Sequence, residues 1–143
     1  MALDSLDEKL IKLLVRDARQ SSDLLAKQLG VSSSTVRRRI HKLTREQVIS
    51  IVATPEPTKI NLPVRVIVGF AVAHDKLNLI MERLGSLEEV RWLSATTGRF
   101  DILGLMWFSS TDELFGFMEK KVAKLEGVNH TETFVCLHEA KRT

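Results

Sequence analysis

The sequence predicts an α+β protein in two parts: three short helices first, then a sheet domain in the order β-α-β-β-α-β. Three observations carry this. Apolar residues recur at helical spacing up to Leu43, two prolines interrupt the chain at Pro55 and Pro57, and β-branched runs alternating with amphipathic helices follow. The boundaries read as 1–53 for the helical part, 54–63 for a proline-stiffened linker and 64–143 for the sheet domain.

Asp4 or Ser5 caps the first helix, with Ser5 and Glu8 at capping-box spacing and Leu6, Leu10, Leu13 and Leu14 on its inner face to about Arg19. Ser21 or Ser22 caps a short second helix that Gly30 ends in a left-handed turn. Ser32 then starts a third helix, and Val31 with Val36 stands at the positions of a hydrophobic staple. Val36, Ile40 and Leu43 make its buried stripe, leaving Ser34, Arg37, Arg38, His41 and Arg45 opposite. Two helices joined by so short a turn, with a supporting helix before them, form a helix-turn-helix. After Arg45 the apolar spacing shortens, and Val48 to Val52 reads as a short strand, a wing or an exit arm.

Beyond the linker, Val64 to Ala73 is almost wholly apolar and reads as a strand buried on both faces. Asp75 caps a helix closed by Gly85. Val90 to Thr96 and Phe100 to Phe108 are strands joined at Thr97-Gly98-Arg99, where Gly98 serves a turn with positive φ. Ser110 and Glu113 form a capping box for the last helix, and Val128 to Leu137 is the final strand. This is the ferredoxin-like split βαβ plan. In the first and third strands of this domain both alternating sets are apolar, so the sheet face away from the helices is an association surface, and the domain is expected to form a homodimer through it.

Charge and composition narrow the function. Net charge is +3, yet residues 1–50 hold ten Lys/Arg against six Asp/Glu while the remainder holds eleven against twelve. The excess is N-terminal, and from Arg37 to Arg45 five bases occur without an acid. An unmixed cluster of this kind beside a buried stripe favours a polyanion, here double-stranded DNA. Arg37, Arg38 and His41 are base-edge candidates. Ser33, Ser34 and Thr35 are expected to reach phosphate or bases from the helix N-terminus, where the dipole favours anions, and Ser32, Lys42 and Arg45 complete the expected DNA-binding set. Arg39 lies beside the buried stripe, equally suited to phosphate contact and to bracing the first helix through Asp7 or Asp17. No apolar run of about eighteen residues and no basic-then-apolar leader is present. The single Cys136 makes no internal disulfide, and the chain is expected to be cytoplasmic, with no metal site and no cofactor.

Leu3-Asp4 with Asp7, Asp17-Ala18-Arg19, Leu25-Ala26, Gly30-Val31-Ser32, Thr35-Val36, Arg39-Ile40, Leu43 and Val48-Ile49 carry a resemblance that continues at Thr97-Gly98-Arg99-Phe100-Asp101, Gly127-Val128, Thr131 and Thr133. In order and spacing, these residues resemble the Lrp/AsnC transcription factors over essentially the whole chain. The resemblance implies a winged or wing-like helix-turn-helix, a ferredoxin-like effector domain, dimers that assemble into octamers, and an amino acid or related metabolite as effector. It places that effector at Thr96, Thr97, Gly98, Arg99, Phe100 and Asp101, with amides near Gly98 for a carboxylate and Asp101 for an ammonium or for orienting the loop. Two positions depart from the family: Glu46-Gln47 and Asn61-Leu62-Pro63 stand where glycines are usual. The function expected is a sequence-specific DNA-binding regulator. The alternatives are a low-specificity architectural DNA-binding protein and, more remotely, a tetrapyrrole decarboxylase of the same fold, for which the chain shows no acid-base or nucleophile constellation.

Overall fold

The computed structural model describes residues 2–141, which fold as two compact units with the boundary between Thr54 and Pro55. In the first unit, α1 (Ser5–Arg16), α2 (Ser22–Leu29) and α3 (Ser33–Arg45) pack around Leu10, Leu14, Leu25, Ala26, Val36 and Leu43. Each helix begins on a side-chain cap. Asp4 and Asp7 form the capping box of α1, Ser21 accepts the Leu24 amide, and Ser32 accepts the Thr35 amide. Ser5 and Glu8 therefore do not form the box that their spacing suggests, and α1 stops at Arg16, short of Arg19. Gly30 closes α2 at φ 68°, a conformation that disfavours a Cβ.

The strand expected over Val48–Val52 is absent. The amides of Val48 and Ile49 both donate to the Leu43 carbonyl (2.9 and 3.4 Å), wrapping these residues onto the end of α3, and Ile49 packs on the helical core. No strand lies among the described residues of this unit to pair with them, and a lone strand leaves its backbone groups unpartnered. The turn passes through Gln47 at φ 57°. Gln47 thus holds a left-handed conformation that disfavours a Cβ.

In the second unit a 3-10 turn, Pro57–Ile60, leads through Asn61, also left-handed at φ 61°, into β1 (Val64–Val72). α4 (Leu77–Gly85), β2 (Val90–Ala95), β3 (Ile102–Phe108), α5 (Thr111–Lys120) and β4 (Val128–Val135) follow. The sheet order is β2-β3-β1-β4, antiparallel throughout, which is the ferredoxin-like arrangement. Asp75 does not cap α4. It lies in a 3-10 turn, His74–Lys76, that runs into α4 and already engages its first amide: Leu77 N–H donates to the His74 carbonyl. For α5, the Ser110 hydroxyl accepts from the Glu113 amide, while the Glu113 carboxylate reaches the amide and hydroxyl of Ser109, one residue before the cap. These two donors hold the Glu113 carboxyl below the usual carboxylate range.

Both helices cover one face of the sheet. Val66, Val68, Phe70 and Val72 pack there with Ile102, Met106 and Phe108 against Ile80, Leu84, Phe117 and Val122. The opposite face carries Ile67, Leu103, Leu105, Trp92 and Phe134, of which Ile67, Trp92 and Phe134 are 39%, 52% and 48% exposed. Within the chain, β1 is thus buried on one face and partly exposed on the other, at Ile67, not buried on both.

Candidate nucleic-acid interface and candidate effector hairpin

At the start of α3, small hydroxyl side chains stand where amides lack helical partners. The Ser32 hydroxyl lies 3.0 Å from that of Ser34 and 2.9 Å from that of Thr35 besides accepting the Thr35 amide at 3.2 Å. Ser34 is exposed, but the Ser33 hydroxyl donates to the Asp23 carboxylate of α2. Ser33 is therefore tied to the preceding helix. Further along, the i, i+4, i+7 stripe is buried at Val36 and Leu43 and half-buried at Ile40, and that stripe turns Arg37, Arg38, His41, Lys42 and Arg45 outward, all exposed. Among the described residues, Arg45 is the one of these five that forms an ion pair, with Glu46 at 3.6 Å. Arg38, His41, Lys42 and Arg45 line a concavity of about 400 Å³ with Arg39 and Asp4. At thirteen residues α3 is about 20 Å long, and a helix of this width fits a B-DNA major groove of about 12 Å.

Arg39 is oriented differently from its neighbours. Its Nη1 lies 2.5 Å from Asp4 Oδ2 and 2.9 Å from Asp7 Oδ1, and Asp7 is only 2% exposed. Of the two expected partners, Asp7 is one, while Asp17 instead accepts the Arg19 amide. The Asp7 amide and then the Arg39 guanidinium hold the Asp4 carboxyl below its usual value, and the two carboxylates raise the Arg39 guanidinium in turn. The structure thus gives Arg39 a bracing position. Sequence reasoning misses Asp4 as a partner, although its capping spacing to Asp7 is legible there.

The second candidate site is the hairpin between β2 and β3. Thr96 N–H donates to the Asp101 carbonyl, and its hydroxyl to the Phe100 carbonyl. Asp101 is bound into the sheet at both ends: its amide donates to the Phe70 carbonyl at 2.9 Å, and its Oδ2 accepts the Val72 amide at 2.8 Å. The carboxylate therefore orients the loop. Phe100 folds over Gly69 on the open face of the sheet and meets Phe134 edge-on, with ring centroids 6.3 Å apart. Arg99 pairs with Glu132 and lies over the Phe100 ring. Thr97, Gly98 and Arg99 are exposed at the tip. Gly98 does not take a positive φ, which corrects the turn requirement expected of it, and a Cβ there would meet nothing within 4 Å. Neither backbone conformation nor crowding within the chain calls for glycine at this position.

Family models match both units: an AsnC-type helix-turn-helix domain over residues 3–44 and an Lrp/AsnC ligand-binding domain over residues 65–143. The chain belongs to the Lrp/AsnC family. Among Lrp/AsnC relatives, an uncharacterised HTH-type transcriptional regulator of Pyrococcus furiosus is 34% identical over 134 residues, covering 93% of this chain and 90% of its own length. The HTH-type transcriptional regulator Ptr1 of Methanocaldococcus jannaschii is 29% identical, covering 97% and 95%. The solved structure of Escherichia coli AsnC superposes with a TM-score of 0.87 at 26% identity over 100% of this chain and 97% of that one. A Neisseria meningitidis transcriptional regulator solved with L-Met shares the fold, with a TM-score of 0.88 at 23% identity over 99% and 94%. This Lrp/AsnC protein is accordingly a helix-turn-helix transcriptional regulator with a ligand-binding domain. Its relatives are regulators and not enzymes, which sets aside the decarboxylase alternative. No helix among the described residues is long and apolar enough to cross a membrane.

Proposed function

We propose that this regulator reads a two-fold DNA site with the exposed face of α3 and pairs into a homodimer through the open sheet face. We propose further that an amino acid or related small metabolite, bound at residues 96–101, modulates its activity. The observation that carries the DNA reading is the face formed by Arg37, Arg38, His41, Lys42 and Arg45, exposed together, with Glu46 as the one acid paired to it. Arg37, Arg38 and His41 are assigned to base edges, Lys42 and Arg45 to phosphates, and Ser32, Ser34 and Thr35 to the helix N-terminus, where the dipole favours an anion.

Two features support the remainder. Ile67, Trp92 and Phe134 form an exposed apolar surface on a sheet that is otherwise complete, and a symmetric pairing of that surface brings two α3 helices into one assembly. At the hairpin, Gly98 leaves open space above a loop anchored by Asp101, so a ligand or a second dimer has room to approach its amides. Duplexes selected from a random-sequence pool test the DNA reading. Selected sites are expected to bind at least about a thousandfold tighter than random duplex at fixed salt. A ratio near one would refute sequence-specific reading and leave an architectural role. Adding each of the twenty amino acids to the selected complex, with sedimentation in parallel, tests the effector. If none changes DNA affinity or assembly, the effector assignment fails.

A further inference from the structure

In the N-terminal unit, four carboxylate oxygens and one guanidinium form a closed circuit. Asp4 Oδ1 accepts the Asp7 amide at 2.9 Å and Asp7 Oδ2 the Asp4 amide at 3.3 Å, which completes the cap of α1. The remaining oxygen of each, Asp4 Oδ2 and Asp7 Oδ1, meets the same Nη1 of Arg39. Asp7 is the one buried charged residue among the described residues. A buried carboxylate needs a fixed partner, and here the partner is on α3, three residues after Val36 and four before Leu43. The ion pair therefore fixes how far α3 slides along, and turns against, the start of α1. Arg38 and Lys42, whose side chains must meet the DNA, flank this clamped residue on the helix.

We infer that Arg39 is a positioning residue for DNA reading. Its charge is matched by two carboxylates, so it adds nothing to the count of neutralised phosphates. It sets the register in which Arg37, Arg38 and His41 meet base edges. This inference rests on α3 being the DNA-reading helix.

The two roles open to Arg39 give different salt dependences. Removing one phosphate contact flattens the slope of log K against log salt by about 0.9. The experiment uses the full chain, a duplex selected from a random-sequence pool by the unaltered protein, and a random-sequence duplex, with each variant's active fraction fixed by stoichiometric titration. For Arg39→Met the slope should hold while the ratio of selected to random affinity falls about tenfold, roughly the effect of one mismatched base pair. Asp4→Asn keeps a good N-cap residue and leaves Asp7 holding Arg39. It should lower the ratio less, again with the slope unchanged. Arg39→Lys, with a single ammonium in place of the guanidinium, should restore the ratio only in part.

A slope that flattens in Arg39→Met and steepens in Asp4→Asn would overturn the inference, because Arg39 would then be a phosphate contact that Asp4 restrains. An unchanged ratio with a lowered melting temperature would also overturn it, reducing the clamp to a folding role. Arg38→Ala separates the two readings: if it leaves both slope and ratio untouched, it is the assignment of α3 to DNA that has failed.

Discussion

Replacing Gly69 by alanine should loosen the hairpin between β2 and β3 from below. Gly69 lies in the middle of β1, paired with Leu103 on one side and Glu132 on the other, and its missing side chain would point to the open face. A Cβ built there falls 2.5, 2.6 and 2.8 Å from Cδ2, Cγ and Cε2 of Phe100, against an ordinary contact of about 3.5–4 Å. The ring must therefore retreat by about 1 Å, and it is held between Arg99 above and Phe134 beside it. Overpacking of this kind costs about 1–3 kcal/mol. At about 2 kcal/mol, a domain of about 90 residues loses roughly 10 °C of melting temperature. Trp92 and Trp107, the only tryptophans, both lie in the sheet domain, so a fluorescence melt reports on that unit alone. Protein concentration must be held fixed because the proposed self-association would shift the transition. A double-mutant cycle isolates the cause. In a Phe100→Ala background the Gly69→Ala cost should shrink to below about 0.5 kcal/mol, and an equal cost in both backgrounds would refute the steric argument.

Further perturbations follow from named interactions. Gln47→Gly should raise the denaturant midpoint, with a gain of about 1 kcal/mol, because an L-residue with φ 57° carries a conformational cost that glycine lacks; Asn61→Gly should gain less, since asparagine tolerates that region. Asp101→Ala strips the Val72 amide of its acceptor and should cost about 1–2 kcal/mol in urea unfolding, whereas Asp101→Asn, which keeps an amide oxygen, should cost less than half as much. The Asp4 carboxyl is lowered from 3.8, so its contribution is full above that value and fades as pH falls through the lower folded value. Unfolding curves of wild type and Asp4→Asn should accordingly separate above about pH 4 and converge below it, and parallel curves throughout would contradict the assignment. Trp92→Asp, placing a charge on the open sheet face, should shift sedimentation toward the monomer while leaving the far-UV spectrum intact.

The parts legible in the sequence are those governed by near neighbours. Ser21, Ser32 and Ser110 cap their helices because each hydroxyl needs only an amide three residues on, and Gly30 turns because its own φ must be positive. The outward face of α3 is readable for the same reason: helical geometry alone separates Arg37, Arg38 and His41 from Val36 and Leu43. The apolar face turned away from the helices can be anticipated as well, because both alternating sets of β1 and β3 are apolar.

The tertiary structure decided whatever depends on distant partners. Arg39 finds Asp4 and Asp7 across 35 and 32 residues, Asp101 finds the Val72 amide across 29, and Ser33 finds Asp23 across ten. The absence of a strand at Val48–Val52 belongs with these, since a β-propensity is expressed only where another strand lies beside it. Charge and spacing single out α3 as the helix proposed to face a polyanion. Which of its bases remain free to do so was settled by the carboxylates that folding brought within reach, because a cation already matched by a buried acid has little attraction left to offer.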